Sequence, residues 1–232
     1  MKVIKSLKMK EKFIVGMFII LLTFSCKESI KEKLTNKKNQ KMSIEEKPKN
    51  SNIHTELSRI FDFQSTIKRV TMNGSDSCMV KIIVNKKSSH KTVFIATINS
   101  ESSFFDSTYL NKNVHSYITG VNRNENVGDN DYGDIIVADF NFDNREDFAA
   151  KREEGSACGP MYNFYIQTPD CSFKLDKFLS DSLIWFPAKF NVREKTLTTL
   201  IIAGNNGVLR TTYKYESKKN KWIKISQKYI GD

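Results

Sequence analysis

The sequence predicts an all-β protein: an antiparallel β-sandwich or open, barrel-like sheet carrying one EF-hand-like calcium loop. Three observations lead there. From about residue 53 the chain is a succession of short runs rich in Val, Ile, Thr, Tyr and Phe, broken by polar turns. Several runs alternate apolar and polar residues, as in Trp222-Ile223-Lys224-Ile225, the period of a strand with one buried face. Segments 85–89, 168–170 and 217–220 are short enough to close hairpins.

Taken in order, the expected strands are 67–72, 78–85, 92–99, 134–139, 161–167, 173–178, 186–191, 196–202, 209–216 and 222–229. A helix is expected only near 53–61. Residues 100–133 are polar and Asn-rich and read as a long excursion. Ten strands over about 180 residues suit a single β domain from 53 to 232. Hydrophobic residues make up 39% of the chain, enough for a packed core, which excludes wholesale disorder. No apolar run reaches 18 residues, which excludes a polytopic membrane protein.

The N-terminus reads as an address and an anchor. Lys2, Lys5, Lys8, Lys10 and Lys12 precede an apolar run at 13–24 that is too short to span a bilayer comfortably. The run ends Leu22-Thr23-Phe24-Ser25-Cys26. A small residue directly before a cysteine resembles the lipobox of bacterial lipoprotein signals, with a bulky Phe24 and a displaced Leu as departures. The resemblance implies cleavage before Cys26, removal of residues 1–25, and a lipid anchor on Cys26 that holds the protein to a membrane of the cell envelope, most simply the outer one. Residues 26–52 are Lys-, Glu- and Asn-rich and read as a disordered tether.

The formal net charge of +11 first suggests nucleic acid. However, residues 1–50 hold thirteen Lys and five Glu, a net +8, while the rest of the chain nets only +3. The basic excess belongs to the signal and tether, so nucleic acid is not an expected partner of the folded body.

One motif carries chemistry. In Asp139-Phe140-Asn141-Phe142-Asp143-Asn144-Arg145-Glu146-Asp147, side-chain oxygens fall at positions 1, 3, 5 and 9. That is the spacing with which a loop wraps a hard cation such as Ca2+. Asp139, Asn141 and Asp143 each offer an oxygen, Arg145 offers its backbone carbonyl, and Asp147 closes the site directly or through water. Asn144 occupies the bend and is the non-Gly residue best suited to positive φ. Position 12 is Ala150, so the bidentate Glu of a true EF-hand is missing and the site is expected to be weaker. Phe140, Phe142 and Phe148 alternate with the ligands and are expected to pack inward. The competing reading is an Asx-turn loop without metal. The acidic cluster Asp129, Asp131 and Asp134 lacks such regularity and reads as a turn.

Together with 139–148, the residues Gly155, Pro160-Met161-Tyr162-Asn163-Phe164-Tyr165, Phe173, Leu179-Ser180, Phe190-Asn191 and Thr212-Tyr213-Lys214-Tyr215 are similar to a family of bacterial periplasmic lipoproteins. The family pattern is a calcium loop of the form Asp-x-Asn-x-Asp-Gly-x-x-Asp followed by Tyr-rich hairpins. Its members include immunity lipoproteins of bacterium-killing type IV secretion systems, which neutralise a peptidoglycan-cleaving effector. Their β fold is related to that of periplasmic inhibitors of i-type lysozyme. The calcium loop alone also resembles the FG-GAP repeat. The resemblance spans roughly residues 130–230 and implies calcium binding, envelope location and a lytic-enzyme target. Asn144 replaces the family's Gly. The Ser-Gly-x-Tyr loop that lysozyme inhibitors insert into their target is absent; the nearest candidate partner loop is Gly204, Asn205, Asn206 and Gly207.

Other chemistries lack support. His54, His90 and His115 are scattered without zinc-ligand spacing, and no nucleophile elbow, phosphate loop or dinucleotide fingerprint appears. Adjacent Glu153 and Glu154 point apart on a strand and read as solvated acids rather than a glycosidase pair. Trp185 and Trp222 read as core or rim aromatics. Cys158 and Cys171 can pair only through a bent loop, and Cys78, Cys158 and Cys171 cannot all pair within one chain. The leading expectation is a non-enzymatic binding protein that inhibits a lysozyme-like enzyme or gives immunity to one. The alternatives are a structural or adhesion-type calcium module and an envelope hydrolase.

Overall fold

The computed structural model describes residues 51–72, 75–100, 113–123, 131–155, 159–203 and 207–231. The expected signal segment, Cys26, the tether up to residue 50, Cys158, and Gly204, Asn205 and Asn206 of the expected partner loop lie outside the described residues. No helix among the described residues is long and apolar enough to cross a membrane.

The described chain is all-β and builds three open sheets. The first contains β1 (Ser51–His54), β2 (Phe61–Met72), β3 (Ser75–Lys86) and β4 (Lys91–Ser100), side by side in that order. The second contains β5 (Val114–Ser116), β6 (Ile135–Ala138), β7 (Asp147–Glu153), β8 (Met161–Gln167) and β9 (Phe173–Leu175). The third contains β10 (Lys189–Asn191), β11 (Thr196–Ile202), β12 (Gly207–Glu216) and β13 (Lys221–Gly231). Neighbours are antiparallel except β5 and β6, which run parallel. No sheet among the described residues closes into a barrel, and the two cores between the sheets are consistent with an all-β sandwich.

The second sheet is the middle layer, and its sequence shows why. Ile135, Ile136, Val137 and Ala138 are all buried. Ile135 and Val137 join a core with Phe61, Phe63, Val80 and Ile82 of the first sheet. Ile136 and Ala138 join a second core with Leu197, Tyr215 and Trp222 of the third. β7 divides the same way, with Phe148 and Ala150 in the first core and Ala149 in the second. A strand covered on both faces needs apolar residues at every position, so alternation vanishes there. Rings fill both interfaces. Phe148 stacks on Tyr165 at 4.6 Å, and Phe164 stacks on Phe186 at 5.6 Å.

The expected helix at 53–61 does not form. β1 pairs with β2, placing His54 opposite Phe63, and residues 55–60 make a turn between them. The Ser58 hydroxyl accepts the amides of Ile60 and Phe61 at 2.9 and 2.8 Å, satisfying donors a helix would have used. The Lys87 ammonium donates to the carbonyls of Thr55 and Ser58 at 2.5 and 2.7 Å. Leu57 and Phe61 enter the core, while Ile53 and Ile60 stay exposed.

The expected strand at 173–178 stops at Leu175. The Asp176 carboxylate accepts the Leu179 amide at 2.9 Å, and a π-helical turn follows at Phe178–Ser182. The excursion expected at 100–133 contains β5, which is three residues long and carries little pattern. β7 was not among the expected strands, because its first residue doubles as the last ligand position of the calcium loop.

Candidate metal centre

Residues 139–147 connect β6 to β7, adjacent antiparallel strands in which Ala138 faces Asp147. Two rings fix the course of the loop. Phe140 and Phe142 are buried in the second core. Phe140 packs edge-on to Phe164 at 5.0 Å, and Phe142 packs edge-on to Trp222 at 6.0 Å. Phe148, the third ring, turns to the first core. Asn144 bends the chain at φ 65°, and Phe142 also takes the left-handed region at φ 62°, a conformation its packing must hold in place.

With the rings inward, the polar residues turn to the loop's own amides. The Asp143 amide donates to Asp139 Oδ1 at 3.0 Å and to Asn141 Oδ1 at 3.2 Å. Asp139 Oδ2 accepts the Asn144 amide at 2.8 Å, and Asp143 Oδ1 accepts the Arg145 amide at 2.9 Å. Asp147 is fully buried. Its Oδ2 accepts the Phe140 amide and its Oδ1 the Gln167 amide, both at 2.8 Å, tying the loop to the end of β8.

Burial pushes the Asp147 carboxyl up to about 8, against the pull of the Gln167 and Phe140 amides and with added repulsion from Asp143 and Asp139. Burial raises Asp139 as well, opposed by the amides of Asn144 and Asp143. These values describe crowded carboxylates that a positive charge would relieve. The Arg145 guanidinium partly supplies one: Nη2 pairs with Asp143 Oδ2, and Nε donates to the Gln167 carbonyl at 3.1 Å. Its carbonyl remains the expected position-7 donor.

The structure thus brings Asp139, Asn141, Asp143 and Asp147 into one loop, with side chains engaged by amides. Among the described residues no group of three or more His, Cys, Asp or Glu side chains converges as a preformed cage. The donor set nevertheless fits a hard divalent cation. It is all oxygen, anionic, partly desolvated and mutually repelling. Asp139, Asn141, Asp143 and Asp147 would hold the ion, and its charge would offset the burial, and the smaller repulsion from Asp143 and Asp139, that raise Asp147.

Several residues have partners the sequence did not reveal. Glu146, inside the loop, is buried, and its carboxylate accepts the Ser58 hydroxyl and, at 3.4 Å, the Arg59 amide. Lys151 on β7 is 1% exposed and binds Asp134 and Asp131 at 2.9 Å and Glu154 at 3.4 Å. The acidic stretch 131–134 is therefore the counter-charge of a buried lysine and not merely a solvated turn. The signal available was the acidic stretch itself together with a lysine directly after the apolar run Phe148-Ala149-Ala150. Glu154 is half-buried on Lys151 and Glu153 lies 3.4 Å from Arg152, so neither is simply a solvated acid. Trp185 and Trp222 are core residues. Among the described residues Cys78 and Cys171 form no disulfide. Gly207, the described end of the expected partner loop, lies under the Tyr229 ring, where a Cβ would meet the phenol oxygen at 1.9 Å.

The sequence matches no protein-family profile. No curated protein matches it either. The fold is similar to that of a Xanthomonas type IV secretion system related protein, with a TM-score of 0.51 over 74% of this chain and 78% of that one, at 16% identity. At that identity the likeness speaks for the fold alone.

Proposed function

We propose that this chain is an envelope-anchored, calcium-stabilised binding protein that blocks a peptidoglycan-cleaving enzyme and cleaves nothing itself. The observation that carries the reading is the 139–147 loop. Its oxygen donors sit between two strands of the middle layer, so a cation bound there would stiffen the element on which both cores are built. The likeness in fold to a type IV secretion system related protein supports a setting of bacterial secretion. The Ser25-Cys26 junction supports a lipid anchor in the envelope.

Immobilised protein, incubated with secreted proteins of the same organism in calcium, should capture an enzyme that clears peptidoglycan and should slow it. Clearing of cell walls by the protein alone would overturn the reading. Calcium-dependent stability without any captured enzyme would favour a structural envelope module.

A further inference from the structure

A groove of about 800 Å³ opens beside the 139–147 loop. Its walls are that loop, the segment from β9 into the π-helical turn, and the turn joining β12 to β13. This volume is within the range of ordinary ligand pockets. Its charge is lopsided. Arg145, Lys174, Lys177, Lys195 and Lys221 line it, against the carboxylates of Asp143 and Asp176. Both carboxylates are already engaged, Asp143 by Arg145 and Asp176 by the Leu179 amide. Lys174, Lys177 and Lys221 are exposed and form no ion pair among the described residues. Arg145 offsets Asp143 and Lys174 acts on Asp176, so Lys177, Lys195 and Lys221 leave the concavity with a net positive charge.

The floor narrows the choice of ligand. Phe178 stacks on Trp222 at 5.9 Å and 17°, and Tyr215 lies 5.1 Å from Trp222 on its tilted side. Trp222 and Tyr215 are each only 8% exposed. A sugar ring stacks on a broad open aromatic face, and here only Phe178 keeps part of its ring exposed. The groove offers an apolar base for a slim side chain and a rim of cations for carboxylates. A second copy of this chain is disfavoured as occupant, because the body outside residues 1–50 is itself net positive.

We propose that this groove receives an acidic segment of a protein partner, with carboxylates on Lys174, Lys177 and Lys221 and an apolar side chain against the Phe178–Trp222 floor. The inference deepens the binding-protein reading and rests on it for the class of partner. Converging exposed charges chiefly steer association and choose partners, and they do so in a salt-dependent way.

The test uses the full-length chain in mild detergent, with chelator present so that the metal loop plays no part. The probes are a fluorescent peptide of Asp, Glu and Leu and its counterpart of Asn, Gln and Leu, followed by anisotropy. The acidic peptide should bind at least about tenfold more tightly, and 0.5 M salt should abolish the difference. The triple variant K174E/K177E/K221E should lose that preference, whereas K68E/K91E/K228E, reversed elsewhere on the surface, should keep it. Equal binding of both peptides, equal loss in both variants, or displacement of the peptide by a tighter-binding polyuronate would overturn the proposal. If K174E/K177E/K221E still captures the lytic enzyme that wild type captures, the groove is not its docking site and the binding-protein reading stands. If wild type captures no enzyme, that reading fails, and the peptide preference still decides whether the groove is selective for acidic chains.

Discussion

Lys151 and Asp134 form an ion pair at 2.9 Å with side chains only 1% and 2% exposed. The pair ties β7 to the chain just before β6, beside the hairpin that carries the metal loop. Two charges taken out of water gain little net stability from each other, but removing one strands the other.

Lys151→Ala should therefore destabilise the protein by about 3–5 kcal/mol. The double change of Lys151 to Met and Asp134 to Leu should recover much of that loss, because the fully buried pair is gone and Asp131 and Glu154, which lose Lys151, still reach water. Urea unfolding followed by circular dichroism measures both. A Lys151→Ala variant as stable as wild type would mean that Asp134 reaches water.

Stability should fall as the solution is made alkaline, from about pH 9 to pH 12. Burial alone would lower Lys151, but Asp134 and Asp131 outweigh it and hold its ammonium above the ordinary 10.5. Burial pushes Tyr117 up to about 12 and Cys78 up to about 11, and it raises Tyr162 and Tyr165. The sign is common to all. The folded form binds these protons more tightly than the unfolded form, so their contribution is complete below the unfolded values and is lost as pH rises through the folded ones. Each such group costs about 1.4 kcal/mol per pH unit while only the unfolded form is deprotonated. Asp147, near 8, has finished titrating by then. Melting temperatures across pH 9–12 check this. A flat profile would contradict the burial of these groups.

Local pattern carried much of this fold and distant pairing carried little. β8 and β11 have the bounds their sequence suggested, since each is flanked by clear turn residues. The bend at Asn144 and the inward rings Phe140 and Phe142 were legible because both follow from spacing within nine residues. Within the middle layer β5 and β7 were not legible, β5 because three residues carry no pattern and β7 because a strand start buried on both faces has no alternation to read. Nor was the staple from Ser58 to Glu146, whose members lie 88 residues apart. The helix expected at 53–61 failed for the same reason: Leu57 and Phe61 fit helical spacing, but pairing of β1 with β2 and the Lys87 contacts decided the matter.

Replacing Cys26 with Ala should shift the protein from the membrane fraction and stop acylation of the mature chain. Cys26 stands directly after an apolar stretch and Ser25, and a sulfur is the atom that receives the lipid. Two or more acyl chains anchor stably where one is marginal. Radiolabelled palmitate incorporation and fractionation read the outcome. Soluble, unlabelled wild-type protein would rule out the anchor.

Calcium should raise stability by about 2.7 kcal/mol at a concentration 100 times its dissociation constant, since only the folded chain presents the loop. For a body of this size that is a rise in Tm of roughly 5–10 °C. The affinity should lie between about micromolar and millimolar, because Ala150 stands where a bidentate Glu would sit. Asp143→Ala should abolish the shift, as Asp143 Oδ1 and Oδ2 both face the loop's interior contacts. Arg145→Ala should act the other way. Its guanidinium competes for Asp143 Oδ2, and a half-exposed pair of this kind is worth about 0.2–1 kcal/mol. Freed of that competitor, the loop should bind calcium up to about fivefold more tightly while keeping the backbone carbonyl at position 145. Magnesium should do much less, since it demands a tighter octahedron and keeps its waters. Isothermal titration of wild type, D143A and R145A gives the order directly. Identical melting curves with calcium and with chelator in wild type would make the loop an ordinary acidic turn, held by its amides and by Arg145 alone.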